Sequence, residues 1–132
     1  MKVLICGSRT INDPAMISLA IEESGINPTH IISGGARGID RLAGEYAASN
    51  GIKFTEYLAD WDRYGKRAGF MRNYIMVGEA EAVIAVWDGK STGTKHAIDT
   101  AKSSGKPVFV YRYGNGEAGL AASATGTAIS RN

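Results

Sequence analysis

Apolar and β-branched runs alternate along this chain with stretches in which apolar residues recur every three or four positions. Residues 2–6 read as a strand buried on both faces, and residues 30–33 as a second strand. Residues 53–58 alternate and are more polar, which places that strand nearer an edge. Residues 82–87 are apolar throughout and central, and residues 107–111 form a fifth strand. Helices fall between them. Asp13 before Pro14 is a helix start, and Met16, Ile17, Ala20 and Ile21 line one face up to Gly25. Ile39, Leu42, Ala43, Tyr46 and Ala47 give a clean core face over residues 37–49, closed by Gly51. A third helix is expected over residues 66–77, with Phe70, Met71, Tyr74 and Ile75 toward the sheet and Arg72 and Asn73 off that face. Ser91 and Thr92 are caps for a fourth, over residues 93–103, ended by Gly105 and Pro107.

Strands alternating with helices imply an α/β fold: a parallel five-stranded sheet between two helical layers, joined by right-handed crossovers. Winding outward from the middle gives the strand order 3-2-1-4-5. In such sheets ligands bind beyond the carboxyl ends of the strands, where the winding reverses. The unusual segments all fall at that edge: residues 7–10, 34–38, 60–64 and 88–94. From Gly114 onward the chain is Gly, Ala, Ser and Thr with little apolar mass. One domain over residues 1–113 followed by an arm over 114–132 is the expectation.

Composition changes this picture in a few places. Glycine is high, 17 of 132 residues, about twice ordinary usage, which fits several tight, backbone-exposing turns. The single cysteine, Cys6, lies in an apolar run and reads as core filler in a reducing setting. A net charge of +2 is too weak to argue for a nucleic-acid backbone or an anionic membrane. The chain has no apolar run of membrane-spanning length and no signal-peptide pattern, so a cytoplasmic protein is expected. His30 and His96 lie far apart and a lone cysteine gives no zinc spacing, so neither a metal nor a cofactor is expected.

The most chemically suggestive stretch is residues 31–40. A strand stopping at Gly34 and Gly35 and turning through Ala36 and Arg37 into a helix leaves backbone N–H groups free for an anion. Arg37 adds a guanidinium that forks onto phosphate oxygens. Gly7, Ser8 and Arg9 repeat the pattern after the first strand. Asp88, Ser91, Thr92, Gly93 and Thr94 offer hydroxyls and N–H groups at another helix start, without the Gly-Lys-Ser/Thr of a Walker A loop. Asp60 can accept from a ribose hydroxyl or a base amino group; Trp61 and Tyr64 can stack on a base; Arg72 and Asn73 can reach the ligand from the third helix. Each has a plainer alternative: a tight turn, a solvated arginine, a capped helix start, or a ring packed on the domain.

Four stretches together resemble the SLOG superfamily, named for the Smf/DprA and LOG proteins, and within it the small stand-alone YspA/cpYpsA-related members. They are Gly7-Ser8-Arg9; Ser33-Gly34-Gly35-Ala36-Arg37-Gly38-Ile39-Asp40; Asp60-Trp61 through Gly65-Lys66 to Arg72-Asn73; and Trp87-Asp88-Gly89 through Gly93-Thr94. The second is the most specific, being nearly the DprA-like motif. The resemblance implies a Rossmann-like fold that binds nucleotides or their derivatives. LOG-type members are phosphoribohydrolases with a Pro-Gly-Gly-x-Gly-Thr-x-x-Glu signature. Here Gly93-Thr94 is kept, but Ala97 stands where the glutamate belongs. DprA-like members bind single-stranded DNA, for which this chain has no visible basic stripe.

The expected function is therefore binding of an ADP-ribose-like molecule or signalling nucleotide, as a sensor or sequestering protein. The resemblance extends this to bacterial or phage conflict. No catalytic residue is assigned. The alternative is a LOG-like nucleotide hydrolase using Asp60 or Asp88, followed by DprA-like single-stranded DNA binding. A homodimer or higher oligomer is also expected, because the third and fourth helices keep apolar residues beyond one stripe and LOG-like relatives pair through helices near the pocket.

Overall fold

The computed structural model describes residues 1–113 and, in backbone, 123–125. Its strands are β1 (Lys2–Gly7), β2 (His30–Gly34), β3 (Lys53–Tyr57), β4 (Ala82–Trp87), β5 (Val108–Arg112) and β6 (Ser123–Thr125). Its helices are α1 (Ala15–Ser24), α2 (Ile39–Ser49), α3 (Trp61–Tyr64), α4 (Ala68–Glu79) and α5 (Thr92–Ser103). A 3-10 turn over Gly65–Arg67 joins α3 to α4.

The sheet runs β3-β2-β1-β4-β5, all parallel, which is the expected order. β6 adds an antiparallel edge strand, with Tyr111 opposite Ala124. The expected arm over 114–132 otherwise lies outside the described residues.

Each face of the sheet has its own core. Val3, Ile5, Ile31, Ile84 and Phe109 pack against Met16, Ile17 and Ala20 of α1 and Ile39, Leu42 and Ala43 of α2. Leu4, Cys6, Ile32, Val83 and Val110 pack against Met76 and Val77 of α4 and Ala97, Ile98 and Ala101 of α5. Side chains alternate faces along a strand, so adjacent residues of β1 serve opposite cores. That is why β1 and β4 lack a polar face. Asp13 Oδ1 accepts from the Ala15 N–H at 3.0 Å, and Gly25, at φ 73°, ends α1.

One expectation fails in α4. Phe70, Tyr74 and Ile75 face outward, while Ala68, Asn73, Met76 and Val77 face in. The apolar row loses to a mixed row because α4 borders the polar end of the sheet. There Asn73 Nδ2 donates to Gly93 O at 3.1 Å and lies 3.1 Å from His96 Nδ1, so its burial is compensated.

No helix among the described residues is long and apolar enough to cross a membrane.

Candidate functional site

The loops after β1 and β4 meet at the point where the winding reverses. The Ser8 N–H donates to Val86 O at 3.1 Å, and Ser8 Oγ accepts from the Asp88 N–H at 3.0 Å. On the other side, the Ile39 N–H donates to Ser8 O at 3.3 Å. The ends of β1 and β4 and the start of α2 are thus stitched through one buried serine. The approach is close enough to require glycine twice. A Cβ on Gly7 would lie 2.7 Å from Ile39 Cβ and would strike the Val86 carbonyl. Gly38 has φ 72° and sits against the Ser8 and Arg9 carbonyls.

Above this junction opens a cleft of about 650 Å³. That is within the size range of small-molecule sites. The β1 loop contributes Gly7, Ser8 and Arg9; the β4 loop contributes Asp88, Ser91, Thr92, Gly93 and Thr94; α4 contributes Arg72 and Asn73. Trp61 and Ala36 complete the expected set on this cleft.

A neighbouring cleft of about 360 Å³ takes Gly35 and Arg37 and shares Arg9, Ala36, Trp61 and Arg72 with the first. Gly34 and Asp60 line neither. Gly34 lies beneath Arg72, where a Cβ would meet Arg72 Cζ and Asp40 Oδ2, each at 2.9 Å. Asp60 Oδ1 caps α3, accepting from the Arg63 N–H at 3.2 Å. Tyr64 also lies off both clefts, with Arg63 over its ring at 5.1 Å.

The start of α5 has the features of an anion site. Ser91 Oγ accepts from the Thr94 N–H at 3.3 Å, a side-chain N-cap. The N–H groups of Thr92 and Gly93 have no acceptor among the described residues. They stand at the positive end of a twelve-residue helix on the cleft wall. Asp88 stiffens the approach: Oδ1 accepts from the N–H groups of Lys90 at 2.7 Å and Ser91 at 2.9 Å. Although its partial burial works against ionisation, these bonds and Ser8 hold the Asp88 carboxyl below its usual range.

The sequence reading did not single out Asp40 as a site residue. It is 6% exposed, lines the larger cleft, and Oδ2 accepts from the Ala36 N–H at 3.3 Å. Burial pushes its carboxyl up to about 6, against the opposing pull of Arg72, the Ala36 N–H, Ser33 and Arg9. Its visible signals were a carboxylate two residues after the glycine turn and its place at the end of the most specific stretch. First-turn acids are common helix features, so the residue did not stand out. Lys66, Phe70 and Lys90 also line the cleft without having been foreseen.

Ala97, at the glutamate position of the phosphoribohydrolase signature, is buried on the cleft wall. His96 does not line the cleft; it stacks on Phe70 with ring centroids 4.0 Å apart, and burial lowers its pKa.

A doubly wound parallel sheet with a polar cleft at its reversal point defines the class: a Rossmann-like α/β protein. The profile of the YspA, cpYpsA-related SLOG family matches residues 1–64. The Gene 61 protein of Mycobacterium phage D29 is 35% identical over 117 residues, covering 82% of this chain and 94% of its own. The chain belongs to the YspA, cpYpsA-related SLOG family. Among solved structures, the DNA processing protein A (DprA) of Streptococcus pneumoniae matches with a TM-score of 0.69 at 25% identity over 90% of this chain. The chain spans about half (52%) of that DprA chain. Family and fold together support a nucleotide-related role.

Proposed function

We propose that this protein binds a nucleotide or nucleotide-derived small molecule in the larger cleft and holds it intact, as a sensor or sequestering protein. The observation that carries the reading is the unpaired start of α5 on the cleft wall, facing a space that Arg9 and Arg72 also line. Trp61 and Phe70 supply apolar surface for a base. With Ala97 on the wall, the carboxylate of the phosphoribohydrolase signature is missing.

Mass spectrometry of small molecules released by heat from freshly purified protein should recover an intact nucleotide-like species. Arg72→Ala should weaken its rebinding about tenfold or more in calorimetric titration, the usual worth of a charge-assisted phosphate contact. Unchanged affinity would remove Arg72 from the site.

A second reading, turnover of the nucleotide, gains from one observation. Asp40 is a buried carboxyl on the cleft wall whose pKa of about 6 suits general acid–base chemistry. Asp60 is off the cleft, and the hydrogen bonds on Asp88 make it a poor base. Chromatography after incubation with nucleoside monophosphates, ADP-ribose and NAD decides between the two. Catalytic release of a free base that Asp40→Asn abolishes would replace binding with hydrolysis.

The same reading includes a homodimer. Phe70, Tyr74 and Ile75 are 45%, 61% and 56% exposed on the outer face of α4, beside the cleft. An apolar row of that kind is ordinarily covered. Light scattering should give twice the monomer mass at micromolar concentration, and Tyr74→Glu with Ile75→Glu should return the monomer. A wild-type monomer would refute the pairing.

A further inference from the structure

The two clefts are not separate cavities. Arg9, Ala36, Trp61 and Arg72 line both, so one wall of each is the same group of side chains. The smaller cleft adds Arg37 and the exposed Leu58. Glu56 stands at one edge of it, with Oε2 2.8 Å from where a Cβ on Gly35 would stand.

Arg9, Arg37 and Arg72 have no ion-pair partner among the described residues, whose ion pairs are Lys2–Glu79, Arg41–Glu45 and Lys95–Asp99. The buried Arg72 Nε–H has no acceptor among them either. The buried Asp40 carboxyl attracts Arg72 and Arg9 without forming an ion pair with either, and that one charge does not balance three guanidinium groups, which an added anion would join. The larger cleft already has its own anion donors at the start of α5. Arg9 and Arg72 on the shared wall, with Arg37 beyond them, therefore extend the anion-binding surface from the larger cleft into the smaller one.

Resting on the reading of the larger cleft as a nucleotide site, we propose that the two clefts form one groove for a ligand with two base- or sugar-bearing units joined by phosphate. Arg9 and Arg72 take the linking phosphates, and the second unit lies in the smaller cleft against Leu58 and Arg37. Trp61, half exposed on the shared wall, offers ring surface to either unit. Linking makes docking of the second unit intramolecular, so affinity rises without a tighter first site.

The experiment begins with AMP, GMP, CMP and UMP titrated into wild-type protein. The base that binds is then compared as its nucleoside diphosphate and as the dinucleoside diphosphate, whose phosphate number is the same. The dinucleoside compound is expected to bind at least about tenfold more tightly. Leu58→Glu puts a carboxylate on an exposed position of the smaller cleft alone; it should erase that gain and leave mononucleotide affinity unchanged. Arg37→Ala should reduce the gain as well.

Mononucleotide binding without a gain overturns the groove and leaves the nucleotide site standing. Failure of every nucleotide overturns both. A dT oligonucleotide whose affinity keeps rising beyond two units overturns the small-molecule ligand in favour of a single-strand track.

Discussion

Gly38→Ala is expected to cost roughly 3 kcal/mol or more, enough to unfold a protein of ordinary marginal stability in large part. Two effects combine. Gly38 has φ 72° and ψ −129°, a region almost closed to residues with a Cβ. A Cβ there would also lie 2.5 Å from the Arg9 carbonyl oxygen and 2.6 Å from its carbon, besides striking the Ser8 carbonyl. Those carbonyls belong to the loop that joins β1 to the cleft, so relief must come from moving it.

Gly51→Ala is the matched control. Its φ of 64° is also positive, but nothing lies within 4 Å of the added carbon, so about 1 kcal/mol is expected. Urea unfolding of both variants measures the difference. Equal losses would mean that the Arg9 loop yields freely and that the stitching at Ser8 does not hold the site.

The second large effect runs the other way. Asp40→Asn is expected to stabilise the protein by about 1–3 kcal/mol at pH 8. The native carboxyl, pushed from 3.8 up to about 6 by burial, holds its proton more tightly than the unfolded one. Stability therefore falls as pH rises from about 4 through about 6, and the full cost of the buried charge persists above that. Asparagine keeps an acceptor for the Ala36 N–H and carries no charge, so the variant should lose this pH dependence and converge on the wild type near pH 4. Unfolding free energies from pH 4 to pH 8 check the sign. A variant less stable than the wild type at pH 8 would show that attraction from Arg72 and Arg9 outweighs burial. A carboxyl whose removal stabilises the fold is the kind of group that function retains, which makes Asp40 the residue to follow in both binding and turnover assays.

Much of the architecture was legible because each strand and helix announces itself locally. Residues 82–87 could hardly be read other than as a buried strand, and they form β4 within those bounds. Asp13-Pro14 and Gly25 bracket α1 through backbone rules that depend on a few neighbours. Helix faces were less secure. The apolar residues Phe70, Met71, Tyr74 and Ile75 form a consistent row, yet that row is not the one against the sheet. Periodicity says that a face exists; which row turns inward depends on what waits there. At α4 this includes the Gly93 carbonyl and His96, which Asn73 meets.

The site divides along the same line. The glycine turns and the capped start of α5 were legible because they follow from short-range sterics and hydrogen bonding, and the parallel order of β1–β5 with its loops at one edge because alternating strands and helices admit few crossover topologies. The placing of Arg37 on a second cleft and the burial of Asp40 beside Arg72 came only with the packed fold. Solvent exposure, charge proximity and the merging of two cavities arise between segments far apart in the chain, so no local pattern carries them.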